Sequence, residues 1–275
     1  MTRGGAMRYI NFTKMSAAGN DFVVMDNRRK VLGRDLKKIA ENLCDRKRSI
    51  GADGVLIFEN SKRADVRMKI FNPDGSEAAM CGNGVRCLAK FAVDHGLNGS
   101  KFSIETLAGV ISAEVKGNVV KAKMVEPKNL KLGINLNVNG KKGKWHFIDT
   151  GVPHAVKILN SLERYDVEGM GRAVRFHRHF SPKGVNADFA AIHPGNRLEV
   201  KTYERGVEDE TLACGTGSTA AALVAAALKN LKSPVSVHTA GGETLKVYFS
   251  RKGLKFYEVY LEGRVQKNFE GRVML

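Results

Sequence analysis

A chain of 275 residues with 43% hydrophobic and 27% charged residues has the composition of a globular protein with room for two modest cores. The longest apolar run, residues 220–228, is too short to cross a bilayer, and residues 1–6 lack the apolar region of a secretory signal, so we expect a cytoplasmic protein without membrane contact. The net charge of +17 is spread along the chain without a nucleic-acid motif, so we expect no nucleic-acid partner.

The first half of the sequence consists of short strand patterns with two helical patterns among them. Apolar residues recur at a period near 3.6 over residues 34–43, which predicts an amphipathic helix. Residues 66–70 alternate between apolar and polar and predict a half-buried strand, followed by an Asn-Pro-Asp-Gly turn at residues 72–75. A second helix is predicted after Cys81. Further strands are predicted at residues 22–25, 55–58, 101–106, 109–115 and 118–126.

The second half repeats this order of elements. Residues 127–133 are predicted to connect the halves, and Asn139-Gly140 is predicted to form a turn. We therefore predict a mixed α/β fold of two pseudo-symmetric domains, each with a curved mixed sheet around one central helix, and an active site in the cleft between the domains. The remaining predictions are helices near residues 162–173 and 219–228, and strands at 186–192, 197–204 and from 235 to the end.

The four cysteines divide into two kinds. Cys44 ends a helical pattern and Cys87 falls inside the second helix, so we expect both in the core. No cysteine pair has CxxC spacing and no histidine cluster suits zinc, so we expect reduced thiols and no metal site.

Cys81 lies directly before Gly82-Asn83-Gly84 and a helix-forming run. Unpaired backbone N–H groups and the helix dipole at such a position favour negative charge. The motif therefore predicts a site that stabilises both a thiolate and an anion bound beside it.

The same motif recurs 133 residues later, where Cys214 precedes Gly215-Thr216-Gly217 and an alanine-rich helix. The same offset aligns residues 51–53 with 184–186, Asn72 with Arg205 and Asp21 with His154. A single cysteine in this context is more often structural, but two at matching positions predict a duplicated fold with facing sites.

These motifs together resemble the diaminopimelate epimerase family, whose members interconvert LL- and meso-2,6-diaminopimelate in lysine and cell-wall precursor synthesis. The resemblance covers nearly the whole chain from Met7, and its most specific parts surround Cys81 and Cys214. The matching segments are residues 18–22, 51–54, 71–87, 151–154, 184–186, 203–206 and 210–217.

The resemblance implies two domains of similar fold, each around a central helix, with the C-terminal strand returning to the first domain. On this chain, residues 1–127 plus about 262–275 would form the N-terminal domain, and residues 128–261 the C-terminal domain. It also implies diaminopimelate as a small-molecule substrate and an isomerase without a cofactor, and we expect a homodimer.

The resemblance also assigns roles to individual residues. It makes Cys81 and Cys214 the two acid/base thiols, with His154 and Glu204 as supporting polar groups. From the residues alone, Asn72 fits a turn position before Pro73 equally well, and the other polar residues fit caps, a loop histidine or an exposed ion pair. The implied substrate-binding residues are Asn20, Asn72, Gly82, Asn83, Asn186, Glu204, Arg205, Gly215 and Thr216.

The chemistry of α-carbon inversion explains the need for this arrangement. A thiol with a pKa near 8.5, lowered by a helix end, can serve as a base near neutral pH, and its neutral partner can serve as an acid. Charge developing on the substrate carboxylate would meet helix N-terminal amides, and such donors contribute about 3–4 kcal/mol each in other systems. No lysine falls in either cysteine motif, so we expect no pyridoxal phosphate.

Two departures from the family pattern and three alternatives stay open at this point. Val152 stands where some members have asparagine, and Gly54 where some have glutamine, which affects recognition of the distal end of the substrate. The alternatives are a racemase of proline-type substrates, a basic binding protein and a dithiol redox protein. The Gly-Asn-Asp-Phe and Tyr-Glu-Arg-Gly motifs argue against the first, and the missing CxxC argues against the last.

Overall fold

The computed structural model describes residues 9–33 and 35–275, so the expectation for residues 1–6 and the predicted helical position of Arg34 lie outside the described residues. The chain divides into two compact units. The first comprises the described residues up to Ala122 together with Arg264–Leu275, and the second is Lys123–Gly263.

The predicted elements of the first half occur in the predicted order, with strand boundaries that differ by a few residues. Two strands that were not predicted, Tyr9–Ala17 and Glu77–Ala78, are also present. The elements of this half are β1 (Tyr9–Ala17), β2 (Asn20–Asp26), α1 (Leu36–Cys44), β3 (Gly54–Glu59), β4 (Val66–Phe71), β5 (Glu77–Ala78), α2 (Gly82–Asp94), β6 (Lys101–Thr106), β7 (Gly109–Lys116) and β8 (Val119–Lys123).

The second half begins with a long strand and continues, like the first half, with strands and two helices. Its elements are β9 (Lys128–Val138), β10 (Lys141–Asp149), β11 (Pro153–Leu159), α3 (Val167–Arg175), a 3₁₀ turn at Arg178–Phe180, β12 (Asn186–His193), β13 (Arg197–Glu204), β14 (Asp209–Thr211), α4 (Gly215–Lys229), β15 (Val235–Thr239), β16 (Thr244–Lys252), β17 (Lys255–Arg264) and β18 (Gln266–Met274).

Strand pairing in the first unit runs in the order β18, β1, β2, β3, β4, β6, β7 and β8. The β2–β3 and β4–β6 pairs are parallel and the other pairs are antiparallel. Parallel neighbours need a crossover connection, and α1 and α2 lie in these two connections.

Strand pairing in the second unit runs in the same order, from β9 through β10, β11, β12, β13, β15 and β16 to β17. Its parallel pairs are β11–β12 and β13–β15, whose connections contain α3 and α4. Gly51 and Gly184, which align at the 133-residue offset, also have similar backbone conformations, with φ angles of 72° and 64°. The two units are therefore repeats of one topology.

The helix that follows each cysteine packs into the core of its unit. In β2, Phe22 and Val24 belong to the core around α2, whereas Val23 and Met25 belong to a separate core around α1. A strand covered on both faces reads as a continuous apolar run, which explains the absence of alternation here. In α4 every residue from Gly217 to Ala226 is buried, as expected of a helix surrounded by sheet.

Three predicted boundaries were wrong. The helix predicted near 162–173 is Val167–Arg175, because the Asp166 carboxylate accepts from the Gly169 amide at 2.8 Å and caps the helix there. Most of the predicted connection at 127–133 belongs to β9, and the strand predicted to end at 126 ends at Lys123. Among the described residues, no helix combines the length and apolar character that crossing a membrane requires.

Candidate active site

Cys81 is the N-cap residue of α2. Its backbone is extended (φ −143°, ψ 119°), and its Sγ accepts a hydrogen bond from the Gly84 amide at 3.5 Å. The thiol is half-buried, and the first intrahelical bond runs from the Val85 amide to the Cys81 carbonyl at 2.8 Å. The amides of Gly82 and Asn83 have no intrahelical acceptor at this helix position, so they are available to an anion.

Cys214 is the N-cap residue of α4 in the same geometry. Its backbone is again extended (φ −112°, ψ 115°), and its Sγ accepts from the Gly217 amide at 3.4 Å. The Thr216 hydroxyl lies 3.3 Å from the sulfur, and the thiol is buried. The amides of Gly215 and Thr216 take the place that Gly82 and Asn83 have in α2.

The side chains of Asn20 and Asn83 hold the first turn of α2 against the strand ends. Asn83 donates to the Asn20 side-chain oxygen at 2.7 Å and accepts from the buried Arg86 guanidinium at 2.7 Å. Asn20 donates in turn to an Asp53 carboxylate oxygen at 3.1 Å. The side-chain amides of Asn20 and Asn83 therefore already form hydrogen bonds within the protein. The backbone amide of Asn83 is the group of that residue that can bind an anion.

A cluster of charged side chains fixes Asp53 in place. One Arg46 nitrogen bonds Asp21 at 2.6 Å and Asp53 at 2.7 Å, and the Lys14 ammonium lies 2.6 Å from Asp21. Burial opposes ionisation of Asp21, but the hydrogen bonds from Arg46 and Lys14 outweigh it and lower its pKa to about 2. Asp21 is thus a fixed negative charge near the start of β2.

Asn72 lies in the predicted turn between β4 and β5. Its carbonyl accepts from the Gly75 amide at 3.0 Å, and its side-chain nitrogen donates to the Ser76 hydroxyl at 2.9 Å. The side chain is half-buried, so the structure shows a turn role for Asn72.

Asn186 joins two segments of the second unit. Its side-chain nitrogen donates to the Pro153 carbonyl at 3.2 Å, and its side-chain oxygen accepts from the Arg205 amide at 2.8 Å. Arg205 is half-buried and one of its guanidinium nitrogens donates to the Lys183 carbonyl at 3.3 Å. Asn186 therefore positions the backbone at Pro153 and Arg205.

Glu204 lies beside Cys214, with a carboxylate oxygen that accepts from the Thr211 hydroxyl at 3.2 Å. Burial raises the pKa of Glu204, against a lowering by the Thr211 hydrogen bond and by nearby His154. Burial also raises the pKa of the Cys214 thiol well above its usual value, and the negative charges of Glu204 and Asp188 add to that effect. The expected lowering by the helix end was wrong for Cys214, because desolvation and two carboxylates outweigh the hydrogen bonds from Thr216 and Gly217.

His154 is fully buried and bonds a residue that the sequence analysis missed. Its Nδ1 lies 2.7 Å from a carboxylate oxygen of Asp188, which is also fully buried. The other Asp188 oxygen accepts from the Thr202 hydroxyl at 2.8 Å. A charged residue within the apolar strand pattern of residues 187–192 was the available signal, because buried charges are normally paired.

The two positions that depart from the family pattern lie in different settings. A side chain at Gly54, the first residue of β3, would place its Cβ 2.9 Å from the Phe71 carbonyl oxygen. Val152 is half-buried, and its carbonyl accepts from the Thr150 amide at 3.1 Å. The local packing therefore favours glycine at position 54.

Cys44 and Cys87 lie outside the two helix caps. Cys44 and Cys87 are buried, which confirms the core prediction, and burial raises the pKa of Cys44 to about 11. The described part of the chain contains no group of three or more His, Cys, Asp or Glu side chains that could hold a metal ion.

The fold is similar to that of several solved structures. Superposition on the Bacillus anthracis phenazine biosynthesis protein of the PhzF family gives a TM-score of 0.75 at 17% identity, covering 98% of this chain and 100% of that chain. A probable proline racemase from Agrobacterium radiobacter K84 gives 0.69 at 14% identity, with coverage of 96% and 92%. The mixed α/β prediction is confirmed by this similarity of fold.

The sequence comparison gives the particular family. The sequence model of diaminopimelate epimerase matches residues 12–129 and 146–267, one segment in each repeat. Diaminopimelate epimerase from Aquifex aeolicus is 44% identical over 276 residues, which covers 96% of this chain and 98% of that protein. The chain belongs to the diaminopimelate epimerase family and is an isomerase.

Proposed function

We propose that this protein interconverts LL- and meso-2,6-diaminopimelate by a two-thiol mechanism without a cofactor, in lysine and cell-wall precursor synthesis. The observation that carries the proposal is the pair of cysteines that cap equivalent helices, α2 and α4, in the two repeats. Family membership supplies the substrate, because the matching relatives are diaminopimelate epimerases.

The mechanism requires that Cys81 and Cys214 reach opposite faces of one substrate carbon. One thiolate removes the α-proton while the other thiol delivers a proton to the opposite face, which inverts the centre. The raised pKa of Cys214 supports a resting state in which this residue holds a proton. Cys214 then acts first as the acid, on the isomer whose α-hydrogen faces Cys81.

The helix N-termini supply the stabilisation that a cofactor would otherwise provide. The amides of Gly82 and Asn83 and those of Gly215 and Thr216 would donate to the α-carboxylate as negative charge accumulates on it. Preorganised donors of this kind contribute about 3–4 kcal/mol each to a transition state.

The remaining predicted site residues divide between positioning and contact. The hydrogen bonds of Asn20 and Asn186 support positioning roles, since their amide groups hold neighbouring backbone and side chains. The half-buried guanidinium of Arg205 and the side-chain oxygen of Asn72, whose side-chain nitrogen binds Ser76 in the turn, are the proposed contacts to the substrate. We further propose that the protein is a cytoplasmic homodimer. Light scattering in solution would test the oligomeric state.

Epimerisation in heavy water tests the two-thiol assignment. Early product should carry deuterium at the inverted carbon while the remaining substrate keeps its hydrogen, because the removed and the delivered protons belong to different thiols. Cys81→Ala and Cys214→Ala should each abolish epimerisation in both directions.

Cysteine removal elsewhere provides the matched control. Cys44→Ala and Cys87→Ala delete buried thiols outside the helix caps, so they should lower stability but leave turnover within about threefold. Early deuteration of the unreacted isomer, or a Cys81 or Cys214 variant that still inverts at the normal rate, would refute the mechanism. Turnover of proline in place of diaminopimelate would refute the substrate assignment.

A further inference from the structure

Asp188 is a fully buried carboxylate with an unusual set of partners. Among the described residues, no Lys or Arg forms an ion pair with it, and its hydrogen-bond partners are His154 Nδ1 at 2.7 Å and the Thr202 hydroxyl at 2.8 Å. Burying a carboxylate away from water is costly unless hydrogen bonds compensate. The imidazole N–H and the hydroxyl are therefore what hold this charge inside the second unit.

The partner geometry determines how the His154 ring can be protonated. An ionised carboxylate can accept a hydrogen bond but cannot donate one, so His154 Nδ1 carries the hydrogen of this contact. A neutral ring with its hydrogen on Nδ1 has its lone pair on Nε2. His154 Nε2 is buried and has no hydrogen-bond partner in residues 9–33 and 35–275. The ring thus presents an unused acceptor at a site closed to bulk water.

Asp188 also lies against the first turn of α4. A Cβ added at Gly217 would fall 2.3 Å from the Asp188 Oδ1 and 2.9 Å from the Thr202 hydroxyl oxygen. The Gly217 amide is the donor to the Cys214 sulfur. The buried carboxylate is therefore in contact with the same helix turn that holds the thiol.

We propose that Asp188 is a positioning residue for the epimerase reaction, one that fixes His154 as the Nδ1–H tautomer and keeps Nε2 ready to accept a proton or hydrogen bond during turnover. This inference rests on the proposed role of His154 in supporting the thiol chemistry. Asp188 acts through His154 in this proposal, and the Thr202 hydroxyl holds the second oxygen of the carboxylate. The alternation of β12 places the carboxylate on the α4 side of the strand.

The tautomer can be measured directly in the intact enzyme. Long-range ¹H–¹⁵N correlation spectra of ¹⁵N-histidine-labelled protein should show His154 with a protonated Nδ1 and an unprotonated Nε2. His154→Gln would assign the signals. A wild-type ring protonated at Nε2 and not at Nδ1 overturns the proposal.

Substitution tests the consequence for turnover. Asp188→Asn keeps the shape but removes the charge, and should lower kcat by about 10- to 100-fold while KM changes by less than about threefold. The same variant should shift the His154 ¹⁵N signals toward a mixture of tautomers. Asp94→Asn, at the exposed end of α2, removes a carboxylate outside the site and should leave both parameters unchanged.

Each remaining outcome has a defined meaning. If His154→Gln turns over normally, the role of His154 in the proposed function fails. If His154→Gln is impaired while folded Asp188→Asn is within twofold of wild type, only the Asp188 proposal is overturned. Should Asp188→Asn not fold, Thr202→Val, which removes only the hydroxyl donor, should lower kcat about threefold or more, and an unchanged kcat overturns the proposal.

Discussion

Gly217→Ala is the substitution whose effect follows most directly from the structure. The new methyl would lie 2.3 Å from a carboxylate oxygen of Asp188, about 1 Å closer than a carbon–oxygen contact allows. Asp188 cannot withdraw without loosening its bonds to His154 and Thr202, at 2.7 and 2.8 Å. A flexible side chain could move to relieve the clash, but hydrogen bonds hold both oxygens of the Asp188 carboxylate.

The size of the effect can be estimated from general values. Overpacking a core position costs about 1–3 kcal/mol, and weakening a hydrogen bond to a buried charge costs about 1.5–3 kcal/mol. The gain in helix propensity from Gly to Ala offsets at most about 1 kcal/mol. With the full offset, we therefore expect a net loss of about 1.5–5 kcal/mol in the free energy of unfolding, or a fall in Tm of about 3–10 °C.

The duplicated fold supplies a matched control at Gly84, the position equivalent to Gly217. A Cβ there would lie closest to the methyl groups of Leu56 and Ile70, at 3.1 and 3.3 Å, and 3.6 Å from the Cys81 Cβ, an ordinary contact distance. Gly84→Ala should lower the free energy of unfolding by no more than about 1 kcal/mol, because both methyl groups can shift by a few tenths of an ångström. Thermal and urea denaturation of the two variants beside wild type measures the difference. If Gly217→Ala is as stable as Gly84→Ala, the fixed position of Asp188 is refuted.

Two further predictions concern charged residues of the two units. Because the pKa of Asp21 falls to about 2 from its usual 3.8, its ion pairs stabilise the fold fully above about pH 4, and this part is lost as the pH falls toward 2. Asp21→Asn should therefore lose about 1–2 kcal/mol near neutral pH and converge with wild type in acid denaturation, and a constant difference down to pH 2 would contradict the assignment. Arg205→Lys should lower kcat/KM for diaminopimelate by about 10- to 100-fold with little change in Tm, because an ammonium cannot replace a planar guanidinium on a carboxylate. Arg197→Lys, at an exposed position, is its control, and a large fall in Tm for Arg205→Lys would instead show a structural role.

Features that depend on neighbouring residues could be predicted from the amino-acid sequence. Helix capping is a local interaction, so Cys81 and Cys214 could be placed at the starts of α2 and α4 from the motif Cys-Gly-x-Gly alone. The recurrence of that motif at a constant offset predicted the repeat, and the strand pairings show the same topology twice. Apolar periodicity likewise predicted most of the strands.

Interactions between distant segments could not be predicted, because they depend on how the strands and helices pack. His154 and Asp188 are 34 residues apart and meet because β11 and β12 pair in parallel, which no local pattern encodes. The pKa of Cys214 rises rather than falls, because the fold buries the thiol beside Glu204 and Asp188 and so outweighs the helix end that the sequence shows. Burial of a side chain and its proximity to charged groups depend on the packing of the whole chain, whereas a helix cap depends on four consecutive residues.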